Sequence, residues 1–149
     1  MYSVKDVAKW FLHEESMTHK KLQKLCYYAQ AWHCALHRGD PLFSEQVEAW
    51  VHGPVIPALY ASYACYGWDR IPKVEEPVNF DEEAEEVLAS VYETYHEYSS
   101  DQLERLTHSE CPWKEARGDL RPFEPSHNII TTEAMRAYYW RVYEQAQGV

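Results

Sequence analysis

Between Thr18 and His37 apolar residues recur every three or four positions. Set on a helix at about 100° per residue, Leu22, Leu25, Cys26, Ala29, Trp32, His33 and Leu36 fall within one arc of about 120°, which predicts a helix with a core-facing stripe. Lys20, Lys24, Tyr27 and Ala31 lie opposite, with Gln23 at the margin, and are expected to face solvent. Thr18 precedes the stripe as an N-cap whose hydroxyl can accept an early helix amide, and Gly39 and Pro41 end it. At about 1.5 Å per residue, twenty residues reach roughly 30 Å, the width of a small domain. The remaining elements are therefore expected to pack around this helix.

The flanking patterns supply those elements. Ser3 with Asp6 marks the start of a short helix in which Val4, Val7, Ala8, Phe11 and Leu12 repeat at helical spacing to about His13. The brief link from Glu14 to Met17 makes it a close neighbour of the central helix. Residues 43–51 lack a helical period: Val47, Ala49 and Val51 alternate with Gln46, Glu48 and Trp50, which predicts an extended segment. His52-Gly53-Pro54 then turns the chain, and a helix is expected from Pro54 to Tyr66 carrying Leu59, Tyr60 and Tyr63 inward. Residues 67–79 form a loop. From Asp81 to Tyr98 a second long helix places Ala84, Val87, Leu88, Val91, Tyr95 and Tyr98 on one face and Glu82, Glu86, Glu93 and Glu97 on the other. Ser99 and Gln102 have capping-box spacing ahead of Leu103 and Leu106. Residues 107–113 are expected to turn, with Pro112 opening another short helix to Arg117. After a crossing through Pro122 and Pro125, Thr131 or Thr132 caps a last helix that buries Met135, Tyr138, Tyr139, Val142 and Ala146. The fold class is mainly α: a single compact domain, residues 1–149, of six or seven helices around a central one, with a short extended segment near 43–51.

Composition adds a bias toward binding. A chain of 149 residues with 6 Trp and 12 Tyr is rich in large amphipathic rings, and such a chain tends to place some of them at contact surfaces as well as in the core. The net charge of -10 repels phosphate backbones and anionic lipid and favours a basic partner. From Val74 to Glu104 there are eleven Asp or Glu and no Lys or Arg, in part a solvated helix face. No Cys-x-x-Cys pair, signal peptide or bilayer-length apolar run is present, so reduced thiols and a cytoplasmic location are expected, with no nucleic-acid or membrane partner.

Candidate chemistry is sparse. His33 and His37 form an i, i+4 pair but lack the glutamate of a zinc-protease helix. Cys111 with His108 is a conceivable nucleophile and base, yet Pro112 removes a backbone donor and no orienting group is evident. The five glycines are too dispersed to cradle phosphate. No catalytic residue, metal or cofactor is expected; a His/Cys-dependent metalloenzyme is the weaker alternative.

Three clusters remain: Leu22-Gln23-Lys24-Leu25-Cys26-Tyr27-Tyr28-Ala29-Gln30-Ala31-Trp32; Glu48-Ala49-Trp50-Val51-His52-Gly53-Pro54-Val55-Ile56-Pro57 with Tyr60; and Leu103, Leu106-Thr107-His108, Pro112-Trp113 and Ala116-Arg117. Together they resemble the successive motifs of the Panacea domain, the family of SocA-like antitoxins and GepA-like phage-associated proteins, over nearly the whole chain from about Val4. The resemblance implies a mostly helical antitoxin of a type II toxin-antitoxin pair. It would bind a toxin protein encoded beside it and neutralise it by blocking or as an adaptor delivering it to a cytosolic protease. The phage-associated branch supplies the alternative of a structural or morphogenesis protein. Many members of the family carry an added DNA-binding segment; none is expected here, and the resemblance therefore does not extend to autoregulation at an operator. Gln23, Lys24, Tyr27, His52 and His108 are the expected toxin-binding residues, being polar or aromatic groups that a core stripe does not explain. Trp32, Glu48, Trp50, Gly53, Pro54, Tyr60, Thr107, Pro112 and Trp113 are expected to hold the turns and packing that support them.

Overall fold

The computed structural model describes residues 1–148. Each long helix begins where the sequence supplies a cap. Ser3 Oγ accepts the Lys5 amide ahead of α1 (Val4–Glu14), and Thr18 Oγ1 accepts the Lys21 amide ahead of α2 (His19–Leu36). Asp81 caps α4 (Glu82–Tyr95), and Ser99 and Gln102 close a reciprocal capping box on α5 (Ser100–Ser109). Thr131 caps α7 (Thr132–Gln147). Such caps satisfy backbone amides that lack an intrahelical acceptor, each worth about 1 kcal/mol. The shorter α3 (Pro57–Tyr63) and α6 (Cys111–Arg117) open instead on a proline in the first turn, where a missing amide costs nothing.

Among the described residues the other six α-helices are arranged around α2, which packs most extensively on α7 and α4 and also meets α1, α3 and α5. The described residues also form five short strands. β1 (Met17–Thr18) pairs antiparallel with β4 (Arg70–Ile71). β2 (Val47–Trp50) lies between β3 (Gly53–Val55) and β5 (Ile129–Ile130) in an antiparallel sheet. The alternation expected around Val47 and Ala49 holds, since both are buried while Glu48 and Trp50 are half-buried.

Several expectations are corrected. The helix from Pro54 does not form: Pro54 pairs with Ala49 in β3, an edge strand that tolerates a residue with no amide to donate, and α3 starts at Pro57 before passing into a 3-10 turn at Ala64–Tyr66. Thr107 and His108 belong to the last turn of α5 rather than to a loop. Ala146 and Tyr98 are exposed. β5 follows a crossing that gave no strand signal beyond Ile129-Ile130.

The largest correction concerns α2. Its supposed outer arc is buried: Lys24 and Tyr27 are 1% exposed, Gln23 is 2% and Ala31 is 0%. Its stripe, in contrast, ends in Leu36, which is exposed, with Trp32 and His33 only half-buried. A helix covered over most of its surface reads as amphipathic only when its polar residues are assumed to want water. Here they have partners inside. Among the described residues no helix is long and apolar enough to cross a membrane.

Candidate functional site

The polar residues of α2 fasten irregular chain on either side of it. Gln23 Oε1 accepts the Ile56 amide at 2.8 Å while its Nε2 donates to the Ile56 carbonyl at 3.3 Å. Seven residues on, Gln30 Oε1 accepts the amides of Leu42 and Phe43 at 2.7 and 3.2 Å, and its Nε2 donates to the Phe43 carbonyl at 2.8 Å. Each amide side chain thus supplies what a neighbouring strand would supply, which buried backbone requires. Two helical turns separate the pins. They hold the segments before β2 and after β3.

Between those pins the β2–β3 hairpin is seated on Lys24. Its Nζ donates to the Pro54 carbonyl at 3.3 Å. Gly53 has φ +116°, and a Cβ there would stand 2.7 Å from Lys24 Cε and 3.0 Å from Thr107 Oγ1. Only glycine fits both that backbone and that approach. Burial pushes the Lys24 amine down to about 7, helped by the Lys20 charge and opposed by Glu104. Glu104 gathers the exposed side of this cluster: Lys20 Nζ lies 2.6 Å and His52 Nδ1 3.2 Å from its carboxylate, and Lys20 also reaches Asp101 at 2.8 Å. Burial alone would raise the Glu104 carboxyl, but Lys20 and His52 together hold it below the usual range.

The far side of the hairpin is clamped by α6. Trp113 Nε1 donates to the Trp50 carbonyl at 2.8 Å, and Arg117 Nη1 donates to the Ala49 carbonyl at 3.0 Å. The Arg117 guanidinium lies 5.1 Å from the Trp113 ring centre and is itself buried. His108 also stacks on Trp113, with ring centres 3.9 Å apart and planes 18° apart. Its Nε2 is enclosed without a hydrogen-bond partner among the described residues. Burial depresses the His108 ring below its ordinary value, against the Glu104 charge, so the neutral imidazole is the favoured form.

Outside this support the surface is aromatic. A cavity of about 390 Å³ opens beside the hairpin, lined by Lys20, Trp50, His52, Tyr60 and Trp68 with Lys24 at its floor. Trp68 is 83% exposed and Tyr60 43%. Trp50 packs on Tyr60 at 5.0 Å and holds its own indole N–H on Glu48 at 2.9 Å. His127 also bonds Glu48, at 2.8 Å, across the neighbouring depression. An aromatic surface with a charged margin is suited to binding a protein.

Of the residues expected to contact a toxin, Lys24, His52 and His108 come together here, with Gln23 on the adjoining turn. Only His52 is exposed. Tyr27 lies elsewhere, in a buried cluster where its hydroxyl meets that of Tyr139 at 3.1 Å. Glu110 accepts from Tyr28 at 2.7 Å and from Tyr139 at 2.8 Å, and Tyr95 stacks on Tyr28 at 4.1 Å. Burial raises the Glu110 carboxyl despite those two hydroxyls. Tyr27 is a core residue and not the exposed contact that its helix phase implies. Trp68 and Glu104 were missed: Trp68 stands in a loop without periodicity, and Glu104 was one acid among eleven.

His33 and His37 lie with ring centres 4.5 Å apart, but His33 Nδ1 is engaged by the Asp40 carbonyl at 2.7 Å and His37 faces Glu83 at 3.6 Å. Among the described residues no group of three or more His, Cys, Asp or Glu is placed to hold a metal ion. Burial pushes the thiols of Cys26 and Cys34 up, Cys34 to about 12, which keeps both as thiols.

A family model described as "Antitoxin SocA-like, Panacea domain" matches residues 22–114. The match runs from the first turn of α2 into α6 and contains both glutamine pins, the hairpin and Trp113, while α1 and α7 lie outside it. No curated protein and no solved structure matches the chain.

Proposed function

Because the chain belongs to the SocA-like antitoxin family with its Panacea domain, we propose that it is the antitoxin of a type II toxin-antitoxin pair that binds and neutralises a cognate toxin protein through the hairpin face. The observation that carries this reading is the exposed aromatic group of Trp68 and Tyr60 around a hairpin fixed from beneath by Lys24 and from behind by Trp113. Aromatic anchors on a pre-organised backbone give affinity with little ordering cost. In this reading Gln23, Lys24 and His108 shape the hairpin, and His52 with Trp68 touches the toxin. Neutralisation is by direct cover of the toxin, and an adaptor role toward a cytosolic protease would use the same complex. The site acts by contact and requires no cofactor.

Co-expression with a toxin gene adjoining this one tests the reading. The pair Trp68→Ala and His52→Ala is expected to lose growth rescue while both purified variants melt as wild type, since both residues are exposed. Full rescue by the double variant would place the toxin elsewhere.

A further inference from the structure

At the other end of α2 a second concave surface is left open. Trp32 and Leu36 of α2, Val87, Val91 and Tyr95 of α4 and Tyr143 of α7 enclose a groove of about 210 Å³, with Ser90 and Thr94 at its lip. A cavity of about 150 Å³ lined by such side chains already holds benzene. Leu36, Trp140 and Tyr143 are partly bared to solvent there, and the Trp140 and Tyr143 rings stack at 5.4 Å, extending the apolar wall along α7. All walls are helices, so no strand edge offers backbone hydrogen bonds. An occupant must be held by side chains.

The charge around the groove is of one sign along α4. On a helix at about 100° per residue, Glu83, Glu86 and Glu93 of α4 fall beside the row of Ser90 and Thr94, and all three are exposed. Between Glu82 and Tyr95 there is no Lys or Arg. His37 faces Glu83 at 3.6 Å, and Arg136 of α7 lies over Gly39 beyond the far end. The long wall therefore remains acidic. A second copy of this chain, also at net charge -10, would bring like charges together.

We infer that this groove is a docking site for a basic amphipathic helix of a partner protein. Its aliphatic side chains at i and i+3 or i+4 enter between α4 and α7, and its Lys or Arg residues meet the α4 glutamates. The lining row from Val87 to Tyr95 covers two turns of α4, about 12 Å at 1.5 Å per residue, which matches two such anchors on one helix face. The surface is separate from the hairpin face and does not depend on what binds there.

The probe is a 14-residue peptide of leucine and lysine with leucines at i, i+3, i+4 and i+7, titrated into the full isotope-labelled chain. Two controls are the same peptide with glutamate for lysine and a lysine peptide with shuffled leucines. The leucine–lysine peptide is expected to shift the amides of Leu36, residues 87–95 and Tyr143. Ser90→Trp, which fills the groove, and Thr94→Arg, which adds like charge, should each weaken it about tenfold, equivalent to about 1.4 kcal/mol. The pair Glu86→Lys and Glu93→Lys should weaken it similarly and flatten its salt dependence. All four positions are exposed, and unchanged melting shows that the variants fold. Equal binding of either control peptide, indifference to both groove variants, absence of binding, or a wild-type dimer that Ser90→Trp dissociates would each overturn the inference.

Discussion

The two ends of α2 are finished in different ways. Around Gln23 and Lys24 the chain is held by side chains bonded to backbone: the amide and carbonyl of Ile56, the carbonyl of Pro54, and from the opposite side the carbonyls of Trp50 and Ala49. Around Trp32 and Leu36, α4 and α7 meet α2 by packing, with a polar link from the Trp32 indole to the Tyr95 hydroxyl at 2.9 Å. Bonds to backbone fix a shape and demand one residue type; dispersion contacts accept any side chain of similar volume. The first end should be brittle toward substitution and the second tolerant.

The sharpest way to break that contrast is Gln30→Leu, because Gln30 lies two turns beyond Gln23 on the same face of α2 and is bonded to backbone in the same way. It strips partners from the amides of Leu42 and Phe43 and the carbonyl of Phe43 at once, and is expected to cost roughly 4 kcal/mol at about 1 to 3 kcal/mol per orphaned buried group. Urea denaturation measures it. A loss below about 1 kcal/mol would show that the segment before β2 finds other acceptors and that the pin is dispensable.

Lys24→Met should give an intermediate effect that depends on pH. The buried amine titrates near 7 in the folded chain, against about 10.4 for an unfolded lysine. Below pH 7 both states carry the proton and folding bears the full cost of burying the charge. Between about 7 and 10 the unfolded state binds more protons than the folded one, so stability rises with pH, by at most about 1.4 kcal/mol per unit. The methionine variant should lack that rise. Wild type and variant are compared by denaturation at pH 7 and pH 9, and equal slopes would mean that Lys24 keeps its proton throughout. Lys20, Glu104 and the Pro54 carbonyl, which face the amine, are unchanged in both.

The smallest effect is expected in the groove. Tyr143→Ser removes a ring at the groove's lip and should change stability by less than about 1 kcal/mol, as partly exposed sites usually do. Trp32→Ala lies between the extremes: because Trp32 is only half-buried, it should fall below the roughly 3 to 5 kcal/mol of a fully enclosed tryptophan.

The sequence announced most of the helices because their caps and apolar periods are local signals. Ser3, Thr18 and Ser99 cap as their spacing implies, Thr131 rather than Thr132 caps α7, and Asp81, expected as the first residue of its helix, is the cap of α4. The candidate site was legible as a set of motifs and illegible as a surface. Lys24, Gln23 and Tyr27 looked solvent-facing because polarity in a single helix cannot reveal a carbonyl thirty residues away that needs a donor. Pro54 looked like a helix opener because its pairing with Ala49 depends on a strand that carried only a weak alternation. Arg117 is the complementary case, a charged residue buried because three carbonyls, those of Ala49, Arg121 and Glu124, converge on it.

The tyrosine cluster gives the chain a schedule. Tyr27 is present early, but Tyr139, which closes over it from α7, follows 112 residues later. At about 5 to 20 residues per second of synthesis, α2 waits roughly 6 to 22 s for its largest cover. During that interval a nascent chain exposes the helix on which everything else is built, and it is open to chaperones and proteases. In this order of synthesis the tyrosines of α2 gain their cover only once α7 has been made.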